Sequence, residues 1–60
     1  SLIDKALLYN VHELKIIHGL GTGILRQSIR EIARKYSAVK SISDEEPQYG
    51  GSGVSVIELG

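Results

Sequence analysis

The sequence predicts a two-layer α/β sandwich in which two helices cover a small mixed sheet, in the order α-β-α-β-β. Three observations carry this fold class: apolar residues at helical spacing near the start and again over residues 25–36, β-branched or alternating runs over residues 14–18, 38–42 and 54–59, and glycine-rich breaks between them.

The elements follow in order. Leu2, Ile3, Ala6, Leu7 and Tyr9 recur at spacings of three and four, which places them on one helical face. The chain starts without Met and already inside this pattern, so residues 1–60 read as one partial domain whose first helix runs in from upstream. Asn10 suits a cap or turn, and residues 14–18 (Leu-Lys-Ile-Ile-His) suit a buried strand. A second helix follows with Thr22 as its expected N-cap and Leu25, Ile29, Ile32, Ala33 and Tyr36 as its buried stripe. Residues 38–42 alternate as a half-buried strand. A loop over residues 43–53 collects charge, proline and glycine, and residues 54–59 close the chain as a strand. A strand-helix-strand succession predicts a parallel pair with a right-handed crossover, and the last two strands an antiparallel hairpin.

Sixty residues make one small domain, which buries only about 60% of the surface its unfolded chain exposes. No cysteine is present and the two histidines make a poor structural zinc site, so no covalent or metal staple is expected. Seven basic side chains balance seven acidic ones. Attraction to a polyanion must therefore be local rather than global. No apolar run is long enough to span a membrane and no signal peptide is visible, which leaves the cytoplasm as the expected compartment.

The chemistry concentrates between the first strand and second helix. Gly19, Gly21 and Gly23 let a ligand approach the backbone closely, and the free N–H groups and dipole of the helix that follows favour an anion such as phosphate. Arg26, one turn into that helix, can add a bidentate contact. A tight turn with no ligand is the alternative. The spacing lacks the Lys-Ser/Thr ending of a nucleotide-binding P-loop, and Ile24 stands where the G-x-G-x-x-G dinucleotide fingerprint requires its third glycine.

Other residues have paired readings. His18, at the carboxyl end of its strand, can act as an acid or base on a phosphodiester or can hydrogen-bond a neighbouring carbonyl. Arg26, Arg30 and Arg34, with Lys35, form a stripe able to track phosphates, although Glu31 at helical spacing is expected to pair with Arg34 or Lys35 and leave that end merely solvated. Asp44, Glu45 and Glu46 offer oxygen ligands to a divalent metal or simply solvate a loop, and no metal ligand is assigned. Tyr49 can stack on an unpaired base or pack on its own loop.

The run His18-Gly19-Leu20-Gly21-Thr22-Gly23-Ile24-Leu25-Arg26 resembles the H-G-x-G-T-G-x-L-R signature of the small MutS-related, or Smr, domain, and residues 50–59 resemble that family's second glycine motif and closing strand. The resemblance covers most of the chain. It implies a domain found at the C-terminus of type-two MutS proteins, with nucleic-acid binding and, in several members, endonuclease activity on DNA or RNA. It also implies a fold similar to a ribosome-binding module of a bacterial initiation factor. Carried over, the loop falls on His18, Gly19, Gly21, Thr22, Gly23 and Arg26, and the second motif on Gly50, Gly51 and Gly53. Family members open with an acidic strand before the first helix. That strand is absent here, so the fold resembles an Smr domain without its first strand, with a sheet edge open to association.

The sequence thus points to DNA or RNA as partner, ribosomal RNA or the ribosome included, within a larger MutS-like chain. His18 is the catalytic candidate. The binding candidates are Gly19, Gly21, Thr22, Gly23, Arg26, Arg30, Gly50, Gly51 and Gly53. The alternatives are a binding module without chemistry and a protein-interaction domain.

Overall fold

A computed structural model describes all 60 residues. The element order is α1 (Leu2–Leu8), β1 (Glu13–Ile17), α2 (Ile24–Ala33), β2 (Val39–Asp44) and β3 (Val54–Leu59), with two single 3-10 turns, Pro47–Tyr49 and Gly51–Gly53, between β2 and β3.

Local chemistry explains where the helices begin and end. The Asp4 N–H donates to Ser1 Oγ at 3.3 Å, making Ser1 the N-cap of α1 in a capping box. The first helix is therefore capped at Ser1, where the sequence predicts a helix already under way. It ends in a Schellman arrangement: Asn10 takes φ +57°, its N–H donates to the Leu7 carbonyl, and the Val11 N–H donates to the Ala6 carbonyl at 2.8 Å. Asparagine tolerates that left-handed conformation better than most residues. The N-cap of α2 is Gly23, not the expected Thr22, whose hydroxyl only accepts a long 3.4 Å bond from the Ile24 N–H.

The sheet order is β1-β3-β2, and both neighbouring pairs are antiparallel. The predicted direct parallel pairing of the first two strands is not formed, because β3 inserts between them. Its composition explains the central place: Val54, Ser55, Ile57 and Leu59 are all buried, whereas β1 carries Glu13 and Lys15 and β2 carries Lys40 and Asp44. Thus β1, expected as a buried strand, is an edge with alternating half-buried and exposed residues.

Register sets the faces. Leu14 and Ile42 flank Ile57, while Ile16 and Asp44 flank Ser55. On this side Ile3 and Ala6 of α1, Ala33 of α2, and Ile57 and Leu59 of β3 make the core, with Leu14, Ile16, Ile29, Tyr36, Val39 and Ile42 packed against it. Both helices therefore cover one face, giving the two layers predicted. The Tyr36 hydroxyl donates to Asp4 at 3.0 Å and ties the end of α2 to the start of α1. Two members of the predicted α2 stripe differ: Leu25 and Ile32 are 62% and 50% exposed. An apolar groove of about 170 Å³ between Leu2, Ile16, Ile29 and Ile32 accounts for the exposure of Ile32.

Candidate functional site

The glycines of the two motifs, at least 27 positions apart in sequence, meet in space. Backbone N–H groups of His18 and Gly19 both donate to the Gly53 carbonyl, at 3.0 and 2.9 Å. A Cβ on Gly53 would lie 3.3 Å from the Gly19 carbonyl carbon, so this close approach requires glycine. Gly50 makes the turn that delivers Gly53: its φ is +122°, and a Cβ there would sit 2.6 Å from Val54 Cγ2. Gly53 is itself buried and acts on the loop through its carbonyl, while Gly50 and Gly51 shape the approach.

Beyond this seam the loop opens into a cavity of about 170 Å³ lined by residues 18–26. The N–H groups of Gly21, Thr22, Gly23, Leu25 and Arg26 donate to no protein acceptor, and that of Ile24 only to Thr22 Oγ1. A concave set of free donors at the start of a ten-residue helix is electrically suited to an anion. The N–H groups of His18 and Gly19 are excluded from that set, since Gly53 already holds them.

His18 is clamped on both sides. Nδ1 lies 3.1 Å from the Gly19 carbonyl oxygen and Nε2 lies 2.8 Å from Ser55 Oγ. A carbonyl only accepts, so Nδ1 carries a proton and, in the neutral ring, Nε2 accepts from the Ser55 hydroxyl. The carbonyl contact expected of a structural histidine is present. Ser55 has no exposed surface, so it orients the imidazole and is not placed to attack a substrate.

Arg26 and Arg30 converge on Asp44. Arg26 donates from Nε and Nη2 to Asp44 Oδ1 at 3.2 and 2.8 Å, and Arg30 Nη2 donates to the same oxygen at 2.8 Å. Arg30 Nε is buried without a partner. The Arg26 hydrogen bonds hold the Asp44 carboxyl below its usual 3.8, assisted by the charges of Arg26, Arg30 and His18 and opposed by partial desolvation. A depressed carboxyl stabilises the fold above its unfolded value and loses that contribution as pH falls through the folded one. Thermal unfolding followed from neutral pH to below about pH 4 should therefore show an acid-labile component that Asp44→Asn removes. An unchanged profile in the variant would show that the clamp contributes nothing.

The three neighbouring carboxylates do not converge as metal ligands. Asp44 faces α2, Glu45 takes Lys15 Nζ at 2.7 Å on the opposite face of the sheet, and Glu46 accepts from Gln48. Nowhere do three His, Cys, Asp or Glu side chains cluster as a metal site. Tyr49 is 67% exposed and is not packed down on its loop.

Ser55 is the functional residue that sequence reasoning missed. Strand alternation puts it on the same face as Ile57 and Leu59, and a hydroxyl in an apolar row must find a partner. Asp44 was visible as an acid, but its placement opposite α2 depends on the bulge between Val39 and Ser41, which shifts the register of β2.

Comparison with known proteins agrees with this geometry. The family model described as Smr domain matches residues 1–60. Endonuclease MutS2 of Streptococcus uberis is 38% identical over 60 residues, covering 100% of this chain and 8% of that protein. Endonuclease MutS2 of Streptococcus pyogenes serotype M5 is 40% identical over 58 residues, covering 97% of this chain and 7% of that protein. The chain thus spans less than a tenth of these relatives. The crystal structure of the Smr domain of Thermus thermophilus MutS2 superimposes with a TM-score of 0.89 at 41% identity, covering 98% of this chain and 74% of that one. No helix is long and apolar enough to cross a membrane. The chain belongs to the Smr domain family.

Proposed function

We propose that this domain binds the phosphate backbone of DNA or RNA through residues 19–26, as part of a larger MutS-like chain. The observation that carries the reading is the set of unpartnered N–H groups on Gly21, Thr22, Gly23, Leu25 and Arg26, in a loop that lines a cavity with no acidic residue. Backbone donors and an arginine recognise phosphate and not base identity, so this grip is common to DNA and RNA. Arg26 serves both Asp44 and the cavity, so a bound phosphate competes with Asp44 for the guanidinium.

A second reading, phosphodiester cleavage, is favoured by one specific observation: relatives of 38–40% identity are named endonucleases. Here His18 is the acid or base. Its Nδ1–H is fixed on the Gly19 carbonyl, which leaves Nε2 as the position that takes up or releases a proton once it exchanges Ser55 for a phosphate oxygen. In this reading the partner group comes from outside residues 1–60.

Binding of labelled DNA and RNA separates the readings. Arg26→Ala should weaken both by about 1–3 kcal/mol, and the wild-type affinity should fall with salt. His18→Ala should abolish cleavage by the complete protein while leaving binding near wild type. If neither variant changes binding or cleavage, the loop is only a turn. Cleavage that survives His18→Ala removes His18 from the chemistry, and a wild-type complete protein that cleaves neither DNA nor RNA leaves binding alone, to nucleic acid or ribosomal RNA, as the function.

A further inference from the structure

We infer that the domain has a second phosphate-binding groove, between the end of α2 and β2, in which Arg34 and Lys40 hold the nucleic-acid strand that leaves the glycine loop. This rests on the nucleic-acid reading above and extends it to a site that the loop signature does not include. The groove has a volume of about 340 Å³ and is lined by Arg30, Arg34 and Lys40, with Tyr36, Ser41 and two aliphatic side chains between them.

Charge is the main argument. The lining contains three cations and no carboxylate. Glu31, expected to neutralise Arg34, instead accepts from Gln27 Nε2 at 3.4 Å, and neither Arg34 nor Lys40 forms an ion pair. Asp44, the acid on Arg30, is already shared with Arg26. Arg34 and Lys40, like charges with no counterion of their own, repel each other, and a bound polyanion relieves this. The larger cavity on the opposite face of the sheet has the reverse balance, with Lys15 already paired to Glu45 and Glu46 beside them. A phosphate backbone that leaves the loop is therefore drawn towards the α2 side.

Geometry supplies continuity. Arg26, Arg30 and Arg34 are four residues apart and share one side of α2. Eight residues of helix span about 12 Å. At roughly 3.4 Å of rise per nucleotide, that distance accommodates about three to four nucleotides. Arg30 joins the two sites, since it lines the groove and shares Asp44 with Arg26. Ser41 adds a hydroxyl donor, and Val39 and Tyr36 give an apolar wall for sugar.

The test compares dinucleotides with 12-nucleotide single strands of DNA and of RNA, using the intact chain and an Arg34→Gln/Lys40→Gln variant. The expected result is a loss of about tenfold or more in affinity for the 12-mers, a salt slope shallower by about 1.4 at roughly 0.7 per lost phosphate contact, and unchanged dinucleotide binding. Arg34→Lys/Lys40→Arg, which keeps both charges, should retain 12-mer affinity and controls for folding. Equal 12-mer binding by wild type and the Gln variant overturns the groove while the loop reading stands. If the wild type binds neither length, the nucleic-acid reading itself fails and the groove with it.

Discussion

Ile57→Ala should leave the domain largely unfolded. Ile57 is fully buried at the middle of the central strand, between Leu14 on one side and Ile42 on the other, and both helices pack over it. Removing such a side chain loses its transfer free energy and leaves a cavity, together about 2–5 kcal/mol. A 60-residue domain at typical stability per residue has only about 3–9 kcal/mol in total. Five buried residues form the core cluster, so no other set of contacts can take over. Urea unfolding should show a midpoint lowered to near zero; a midpoint within experimental error of wild type would mean that the core lies elsewhere.

Gly50→Ala should have the second-largest effect, and should disturb both stability and binding. The residue has φ +122° with ψ −12°, a region that L residues rarely occupy, and the new Cβ would sit 2.6 Å from the side chain of buried Val54. Backbone strain of this kind costs about 1–3 kcal/mol. The turn cannot relax freely, because it delivers Gly53 to the carbonyl position that holds the His18 and Gly19 N–H groups. The variant should therefore unfold at lower temperature and bind oligonucleotide more weakly. A variant that melts like wild type would show that the turn adopts another conformation in solution.

Much of this was legible in the residues, and the exceptions have identifiable causes. Helical periodicity placed α1 and α2, and the apolar run after the glycines placed β3 at Val54–Leu59. Strand order was not legible from chain order, because sequential strands pair only as a tendency. The apolar density of residues 54–59 against the lysines of β1 and β2 was the better guide to which strand is central. In the site, the glycine loop and Arg26 stood out because their residue types are unusual at that spacing. Ser55 did not, since a serine within a strand is ordinary until register sets it beside His18. Arg34 is exposed, as expected of a solvated residue, but the ion pair with Glu31 that helical spacing allows is not formed. Glu31 takes Gln27 instead, an outcome that depends on rotamers and not on spacing.

Ser55 and Gly53 also change what the signature means. The glycines of the second motif brace the first loop, so the site is one structure made from two distant segments. His18 is its hinge, fixed to the loop through Gly19 and to the central strand through Ser55.

The proposed contact between a backbone phosphate and the free amides of Gly21, Thr22, Gly23, Leu25 and Arg26 can be observed directly. Titration of the ¹⁵N-labelled domain with a short oligonucleotide reads those amides one by one. Concentration-dependent shifts are expected at Gly21, Thr22, Gly23, Leu25 and Arg26, with smaller changes at the His18 and Gly19 amides already held by Gly53. Shifts confined to the opposite sheet face around Lys15, Ile17 and Tyr49, with the loop amides unmoved, would contradict it.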